Sequence, residues 1–225
     1  MAGQSAGDWL ELTATDGHGL AAYQTGPREG ARGALVIVQE IFGVNSHIRG
    51  VCDAYAAEGF RVIAPALFDR VERKLELGYG DDGVKRGIAL KQAIPDEQAL
   101  LDIAAALDAL GGAGEAAVMG YCWGGSLAWR AASALRPRAA IGYYGGGIGQ
   151  HLDEAPGCPT LLHFGEKDHA IPLSVAEGVR ARHPSVPCHI YPAGHGFNCD
   201  ERGSYDAESA RIARERTLGF LRAVF

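Results

Sequence analysis

Short apolar runs alternate with longer amphipathic stretches along this chain. The first run, ALVIVQ at residues 34–39, is of strand length and is apolar up to its last residue, as expected for a strand covered on both faces of a sheet. RVIAPAL repeats the pattern, and further strands are predicted at 116–119, 139–144, 160–164 and 188–191. Repeated β-α units predict a single α/β domain with a mostly parallel, doubly wound sheet, which carries its sites at the carboxyl ends of the strands.

Cap residues mark the helices between these strands. Asn45 and Ser46 begin a helix that runs to Glu58 and that Gly59 ends, and Pro95 begins another with acidic residues in its first turn. A last helix is predicted at about 207–221. The segment at about 66–94 is polar and rich in glycine, and its length predicts a functional loop or a small cap.

Composition narrows the function classes. The 225 residues are 47% hydrophobic and 21% charged, as is usual for a globular domain, and the formal net charge of −6 argues against a nucleic-acid partner and weakly against an anionic membrane. The N-terminal segment lacks the basic and apolar regions of a signal peptide, and no apolar run reaches membrane-spanning length. Five widely spread cysteines favour free thiols in the cytoplasm, and their spacing fits no zinc site.

The stretch VMGYCWGGSLAW carries the clearest chemical signal. A strand pattern runs into Gly120, Cys122 follows on what must be a tight turn, and Gly124 opens a helix. In this Gly-x-Cys-x-Gly arrangement the glycines are needed because the turn leaves no room for Cβ atoms, while the turn pushes the nucleophile outward. Serine is the usual occupant. A lone cysteine is more often a buried apolar residue, but this context favours a nucleophile.

Two later strands supply partners for Cys122. Asp168 follows the strand TLLHF and His195 follows CHIYP, so the chain order is nucleophile, acid and histidine, as in α/β-hydrolases. His195 would hold and return the proton, and Asp168 would fix the imidazole tautomer. The backbone N–H groups of Trp123 and Ile41 are the expected oxyanion donors.

With these residues in place, the sequence resembles the dienelactone hydrolase (carboxymethylenebutenolidase) family of α/β-hydrolases over nearly its whole length. TDGHGLAAY is similar to the opening hairpin, and VIVQEIFGVN and GYCWGG are similar to the two signature segments. AIGYYGGGI, LLHFGEKDHAIP, YPAGHGF and ERTLGFL follow in the family's order. The resemblance implies a cofactor-free monomer with a triad of Cys122, Asp168 and His195.

The resemblance also implies roles for two further residues. Glu40 matches a glutamate that pairs with the resting cysteine, so that the thiolate forms only when a substrate carboxylate rearranges the site; from the residues alone, Glu40 could instead cap the helix at Asn45. Tyr144 matches a tyrosine that lines the pocket. A thiol that the correct substrate switches on is protected from oxidation, which explains a cysteine in place of serine.

The sequence departs from the family at the substrate carboxylate site. The family's serine after the catalytic histidine and its arginine three residues further on are here Gly196 and Cys199. The cations left to bind a substrate carboxylate are Lys85 and Arg86 in the long segment, although both also fit a solvated loop face.

The resulting expectation is a hydrolase of carboxylic esters or lactones that forms an acyl-cysteine, with a dienelactone-like small molecule favoured as the substrate. A general short-chain esterase or thioesterase with the same triad is the alternative. A binding or thiol-redox protein on the same scaffold is disfavoured, because a redox cysteine needs neither Asp168 nor His195 and more often has a resolving cysteine nearby.

Overall fold

The computed structural model describes residues 7–225, so part of the N-terminal segment on which the signal-peptide expectation rests lies outside the described residues. The strands are β1 (Asp8–Thr13), β2 (Gly19–Thr25), β3 (Ala34–Val38), β4 (Arg61–Pro65), β5 (Ala116–Tyr121), β6 (Ala140–Tyr143), β7 (Thr160–Gly165) and β8 (Cys188–Tyr191). The helices are α1 (Ser46–Ala57), α2 (Asp81–Ala93), α3 (Asp96–Ala109), α4 (Trp123–Ala134), α5 (Ser174–Arg182) and α6 (Ala207–Val224).

All eight strands form one sheet in the order β1-β2-β4-β3-β5-β6-β7-β8. β1 and β2 pair as an antiparallel hairpin, β2 pairs antiparallel with β4, and every pair from β4 to β8 is parallel. The predicted α/β class, with an opening hairpin and a mostly parallel sheet, is confirmed. The carboxyl ends of β3, β5, β7 and β8 therefore meet at one edge of the sheet.

The central strands are buried on both faces, as their apolar sequences predicted. In β3, Leu35 and Ile37 belong to one hydrophobic core, whereas Val36 and Val38 belong to the other. Side chains of α1 and α6 pack in the first core, and side chains of α2 and α3 pack in the second. The sheet is thus the middle of three layers, and this rigid centre fixes the loops at its edge.

Cap residues account for the ends of α1. The Asn45 side chain accepts a hydrogen bond from the backbone N–H of Ile48 at 3.2 Å, and Gly59 follows the helix with φ of +92°. These are the N-cap and the left-handed terminating residue that the sequence indicated.

The segment at 66–94 contains regular structure, namely one 3₁₀ turn at Leu67–Arg70 and the thirteen-residue helix α2. Gly87 of α2 lies directly against the carbonyl oxygen of Ile41, so closely that a Cβ atom would have no room. The helix therefore supports the loop after β3 rather than standing away from the domain. Among residues 7–225, no helix combines the length and the hydrophobicity that a bilayer crossing requires.

Candidate active site

Cys122 sits on the sharp turn between β5 and α4. Its φ of 55° lies in the left-handed region that residues with a side chain rarely adopt. A Cβ on Gly120 would collide with the Gly124 backbone, and one on Gly124 would collide with the Val38 carbonyl. The two glycines therefore allow the strained turn to pack against β3, which leaves the Cys122 side chain partly exposed above the sheet.

The structure brings Cys122, His195 and Asp168 into a continuous line of contacts. Nε2 of His195 lies 3.3 Å from the Cys122 Sγ, and Nδ1 lies 2.7 Å from Oδ2 of Asp168. The other Asp168 oxygen accepts hydrogen bonds from the backbone N–H groups of Ala170 and Ile171 at 2.8 and 3.0 Å. These two backbone hydrogen bonds fix the Asp168 carboxylate, and the carboxylate orients the imidazole toward the thiol.

The surroundings of His195 favour its protonated form. Burial alone would lower the pKa of His195, but the hydrogen bonds to Asp168 and Cys122 outweigh it and raise the pKa to about 10. The Asp168 side chain is buried and stays close enough to balance an imidazolium. The arrangement therefore stabilises a proton on His195 whenever the sulfur carries negative charge.

Two backbone N–H groups, one in the loop after β3 and one in the turn at Cys122, are available as donors. Within residues 7–225, the N–H groups of Ile41 and Trp123 bond to no protein acceptor, whereas the neighbouring Gly124 N–H donates to the Gln39 carbonyl at 3.1 Å. Trp123 is the first residue of α4, where an amide has no intrahelical partner. The Gln39–Gly124 bond ties the loop after β3 to the turn at Cys122, so both N–H groups lie on segments that are held together.

Glu40 is completely buried beside this turn and is bonded to two groups. The Tyr79 hydroxyl donates to Oε2 at 3.3 Å, and Nη1 of Arg202 lies 3.5 Å from Oε1. Among the described residues, the structure shows no hydrogen bond between Glu40 and Cys122, whose side-chain partner is His195. Nor does Glu40 cap α1, because Asn45 does so.

Arg202 is the cation that sequence reasoning missed. Its guanidinium lies over the rings of Phe42 and Tyr79, 5.6 Å from each centroid, and is held mostly out of solvent. It comes from the loop between β8 and α6, where the sequence offers an arginine among polar residues without a local pattern. Arg202 and its ion-pair partner Glu40 are far apart in the sequence, so the ion pair becomes apparent only in the folded structure.

The two cations that the sequence suggested lie elsewhere. Arg86 is exposed on α2, and its guanidinium bonds to the carboxylate of Glu72. Lys85 is its exposed neighbour on the same helix. Both side chains are exposed, whereas the adjacent Gly87 is buried against the Ile41 loop.

Tyr144 lies fully buried next to His195. Its ring centroid is 5.2 Å from that of His195, and its hydroxyl has no hydrogen-bond partner among the described residues. Burial and the nearby Glu40 carboxylate hold the pKa of Tyr144 well above its usual value, so the hydroxyl keeps its proton. A buried donor without a protein partner is available to a bound molecule.

Most of the chain matches the proteins of one hydrolase family. Residues 20–225 match the dienelactone hydrolase family. The chain belongs to this family. Carboxymethylenebutenolidase 1 of Cupriavidus pinatubonensis is 30% identical over 224 residues, which cover 95% of this chain and 96% of that protein. The carboxymethylenebutenolidase of Pseudomonas putida is 32% identical and covers 94% of both chains. Membership of the dienelactone hydrolase family makes the protein a carboxylic ester hydrolase.

Solved structures agree with this assignment. A protein of Klebsiella pneumoniae assigned as a dienelactone hydrolase superposes with a TM-score of 0.82 at 30% identity, covering 96% of this chain and 99% of that one. A dienelactone hydrolase-like promiscuous phosphotriesterase from metagenomic libraries superposes with a TM-score of 0.79 at 19% identity, which establishes a shared fold alone. The dienelactone hydrolase resemblance read from the signature segments is confirmed.

Proposed function

We propose that this enzyme hydrolyses an ester or lactone through an acyl intermediate on Cys122. The observation that carries the proposal is the contact line from Cys122 Sγ through His195 to Asp168 at the end of a strained strand-to-helix turn. A cysteine buried for packing needs neither a positive φ nor a histidine fixed by a carboxylate.

In acylation, the Cys122 thiolate attacks the carbonyl carbon and a C–S bond forms. The carbonyl electron pair moves to oxygen, where the N–H groups of Ile41 and Trp123 stabilise the charge. When the pair returns, the C–O bond to the leaving group breaks, and His195 gives its proton to the departing oxygen. In a lactone, both products of this cleavage remain in one molecule.

In deacylation, a water molecule attacks the thioester carbonyl while His195 takes one of its protons. The second tetrahedral oxyanion uses the same two N–H groups, and its collapse breaks the C–S bond and releases the thiolate. Asp168 keeps the imidazole oriented in both steps and balances the positive charge of His195 while it is protonated, before it gives its proton to the leaving oxygen and after it takes one from water. The cycle returns the enzyme unchanged.

For the substrate, we favour a small lactone that carries a carboxylate, as a dienelactone does. Arg202 is the cation beside the site, and its contact with Glu40 is long for an ion pair, at 3.5 Å. A substrate carboxylate could exchange with Glu40 for this guanidinium, which would free Glu40 to influence the Cys122 thiol. Glu40 then acts as the thiol-modulating residue and Arg202 takes the anion-binding role.

The test is trapping of the acyl-enzyme. Rapid acid quench during turnover of an activated ester or a small unsaturated lactone should give one acyl adduct in the intact mass, located on Cys122 by peptide mapping. Cys122→Ala should fold normally, form no adduct and lose turnover, while Cys122→Ser should keep little activity because a hydroxyl is far harder to deprotonate. Turnover by Cys122→Ala near the wild-type rate would overturn the proposal.

A comparison of kcat/KM between neutral and acidic substrates separates the two enzyme alternatives. A general esterase or thioesterase would turn over neutral p-nitrophenyl esters or acyl thioesters with higher kcat/KM than any acidic lactone. A carboxylate-directed lactonase would show the reverse order. A non-catalytic or thiol-redox protein would accumulate no acyl adduct with either class.

A further inference from the structure

A second cluster of chemically reactive side chains lies next to the triad and has no part in the proposed reaction apart from Glu40. Glu40, His47 and Cys199 are all buried, and one potential ligand atom of each lies within 4.8 Å of the other two. They come from the loop after β3, from α1 and from the loop after β8. The fold, not a sequence motif, brings them together.

The orientation of His47 is the observation that points to a ligand. Its Nδ1 lies 3.2 Å from Oδ1 of Asp200, while its Nε2 is buried without a hydrogen-bond partner among the described residues. The His47 side chain is only 4% exposed, so Nε2 has no compensating solvent. With the Nδ1 proton donated to Asp200, Nε2 presents a free lone pair in the protein interior, which is costly unless something binds it.

We propose that Glu40, His47 and Cys199 form a binding site for one transition-metal ion of the zinc class. The donor set consists of a thiolate, an imidazole and a carboxylate, and zinc accepts all three ligand types. Two anionic donors balance a divalent charge, and a histidine oriented by an outer carboxylate is the usual second-shell arrangement around zinc. Three protein ligands leave a fourth position for water.

The distances require only a local adjustment. Tetrahedral zinc with bonds of about 2.0–2.3 Å holds its ligand atoms roughly 3.3–3.6 Å apart, so the three donors must close by at most about 1.5 Å. A cavity of about 400 Å³ is lined in part by His47, Asn198 and Asp200, so it borders the cluster at His47.

Metal binding at this site would compete with Arg202. A divalent cation on Glu40 repels the guanidinium that now pairs with the same carboxylate, so the metal-bound and Arg202-paired states exclude each other. The site would therefore act as an inhibitory switch on a carboxylate-directed hydrolase. The existence of the metal site does not depend on the proposed reaction, and the binding experiment reads it separately.

The experiment measures Co²⁺ and Zn²⁺ binding in the Cys122→Ala background, because Cys122 and His195 are themselves a potential metal-binding pair. Cobalt titration of this variant should give one equivalent bound, with a thiolate-to-cobalt charge-transfer band, and calorimetry should give one equivalent of zinc. Adding Cys199→Ser should abolish the charge-transfer band. Adding His47→Gln should weaken the binding of both metals by more than tenfold. Cys158→Ser, which changes a cysteine remote from the cluster, should alter nothing.

Asp200→Asn is the variant that keeps the test decisive if a buried substitution disturbs folding. Asp200 is largely exposed, and loss of an outer carboxylate typically weakens metal binding about 10- to 100-fold. The proposal is overturned if the Cys122→Ala protein binds no metal, or if binding persists unchanged through Cys199→Ser, His47→Gln and Asp200→Asn. Circular dichroism and the Tm of every variant check that the fold is retained.

Discussion

Gly196 and Arg202 are packed so closely that a Cβ atom built on Gly196 would lie 2.6 Å from Nη1 of the Arg202 guanidinium. Any side chain at position 196 would require the end of the flexible Arg202 side chain to move, and the φ of +75° at Gly196 strains other residues as well. Glycine at this position therefore lets the guanidinium stay where it contacts Glu40.

The first prediction tests the anion-binding role of Arg202. Arg202→Gln should lower kcat/KM for an acidic lactone by about 10- to 150-fold, because a charge-assisted hydrogen bond is worth about 1.5–3 kcal/mol. The neutral methyl ester of the same lactone should change much less. Steady-state kinetics on the acid and ester pair measure the difference.

Arg86→Gln is the matched control for Arg202→Gln. Its guanidinium bonds to Glu72 at the surface, so its removal should leave the ratio of acid to ester kcat/KM within about twofold of wild type, the range of small surface effects. A wild-type preference for the acid that survives Arg202→Gln but disappears in Arg86→Gln would return the role to α2.

The second prediction concerns the Gly196–Arg202 contact itself. Gly196 has φ of +75°, and Gly17, with φ of +85°, has nothing within 4 Å of its missing Cβ. Gly17→Ala should cost about 1–2 kcal/mol for the backbone alone. Gly196→Ala should cost more in urea unfolding, and the excess should disappear in the double variant with Arg202→Ala. Additive free energies of unfolding would mean that the side chains do not compete.

Most of the turns and strands that carry the candidate site could be predicted from the sequence because their signals are local. The strand-to-helix turn is indicated directly by Gly120, Cys122 and Gly124. The segments that contain Asp168 and His195 follow recognisable strands. The residues that surround Glu40, by contrast, are brought together by tertiary packing and could not be predicted from local sequence signals. Nothing near position 202 in the chain indicates that its guanidinium would lie over Phe42, and the glycine at 87 gave no sign that α2 would contact the Ile41 loop.

The segment at 66–94 illustrates the same limit. Its polar, glycine-rich composition suggested a loop or cap, yet it forms α2 with few buried residues. The partial burial explains the weak pattern, since a helix that covers one loop needs only a narrow apolar face. Tyr79, which precedes this helix, contacts Glu40 through a hydroxyl that no periodicity could place.

The third prediction addresses Glu40 as a modulator of the thiol. Glu40→Gln removes a buried negative charge but leaves the Arg202 cation, which favours negative charge on the nearby Cys122 sulfur. Iodoacetamide should therefore alkylate Cys122 faster at neutral pH than in wild type. Lactone acylation should slow, because a neutral amide at position 40 cannot exchange with the substrate carboxylate for Arg202 as proposed for Glu40. Peptide mapping after timed alkylation measures the rate.

Glu76→Gln is the control for Glu40→Gln, because Glu76 pairs with Arg49 and is half-exposed. It should not change the alkylation profile. Identical rates and pH profiles in wild type and Glu40→Gln would leave Glu40 with a structural role only.

The fourth prediction follows from the raised pKa of His195, about 10. In the proposed reaction the His195 imidazolium is the acid for the leaving group, so kcat/KM for a substrate with a poor leaving group should fall only as the pH approaches 10. Protonation of His195 also stabilises the folded protein. This stabilisation is complete below the unfolded pKa of about 6.5 and is lost as the pH rises through about 10. Asp168→Asn removes a main cause of the upward shift, so the alkaline limb should move toward neutral pH.

Asp168→Asn should also lower kcat by about 10²–10⁴-fold at neutral pH, because the imidazole loses its orientation and its counter-charge. We would measure the pH profiles of both proteins with an alkyl ester whose leaving group needs a proton. The profiles give the position of the alkaline limb in wild type and in Asp168→Asn. An alkaline limb that stays in place in Asp168→Asn would assign it to another group.

The fifth prediction separates stability from activity at Tyr144, whose buried hydroxyl lacks a partner among residues 7–225. Tyr144→Phe removes an unsatisfied donor, so the protein should become more stable by about 1 kcal/mol, or about 2–4 °C in Tm. If the hydroxyl donates to bound substrate, kcat/KM should fall by about tenfold. Tyr143→Phe is the control, because that hydroxyl is bonded to Thr217 at 2.7 Å and its loss should destabilise the protein. A Tyr144→Phe enzyme that is less stable and fully active would show that the hydroxyl serves the fold and not the substrate.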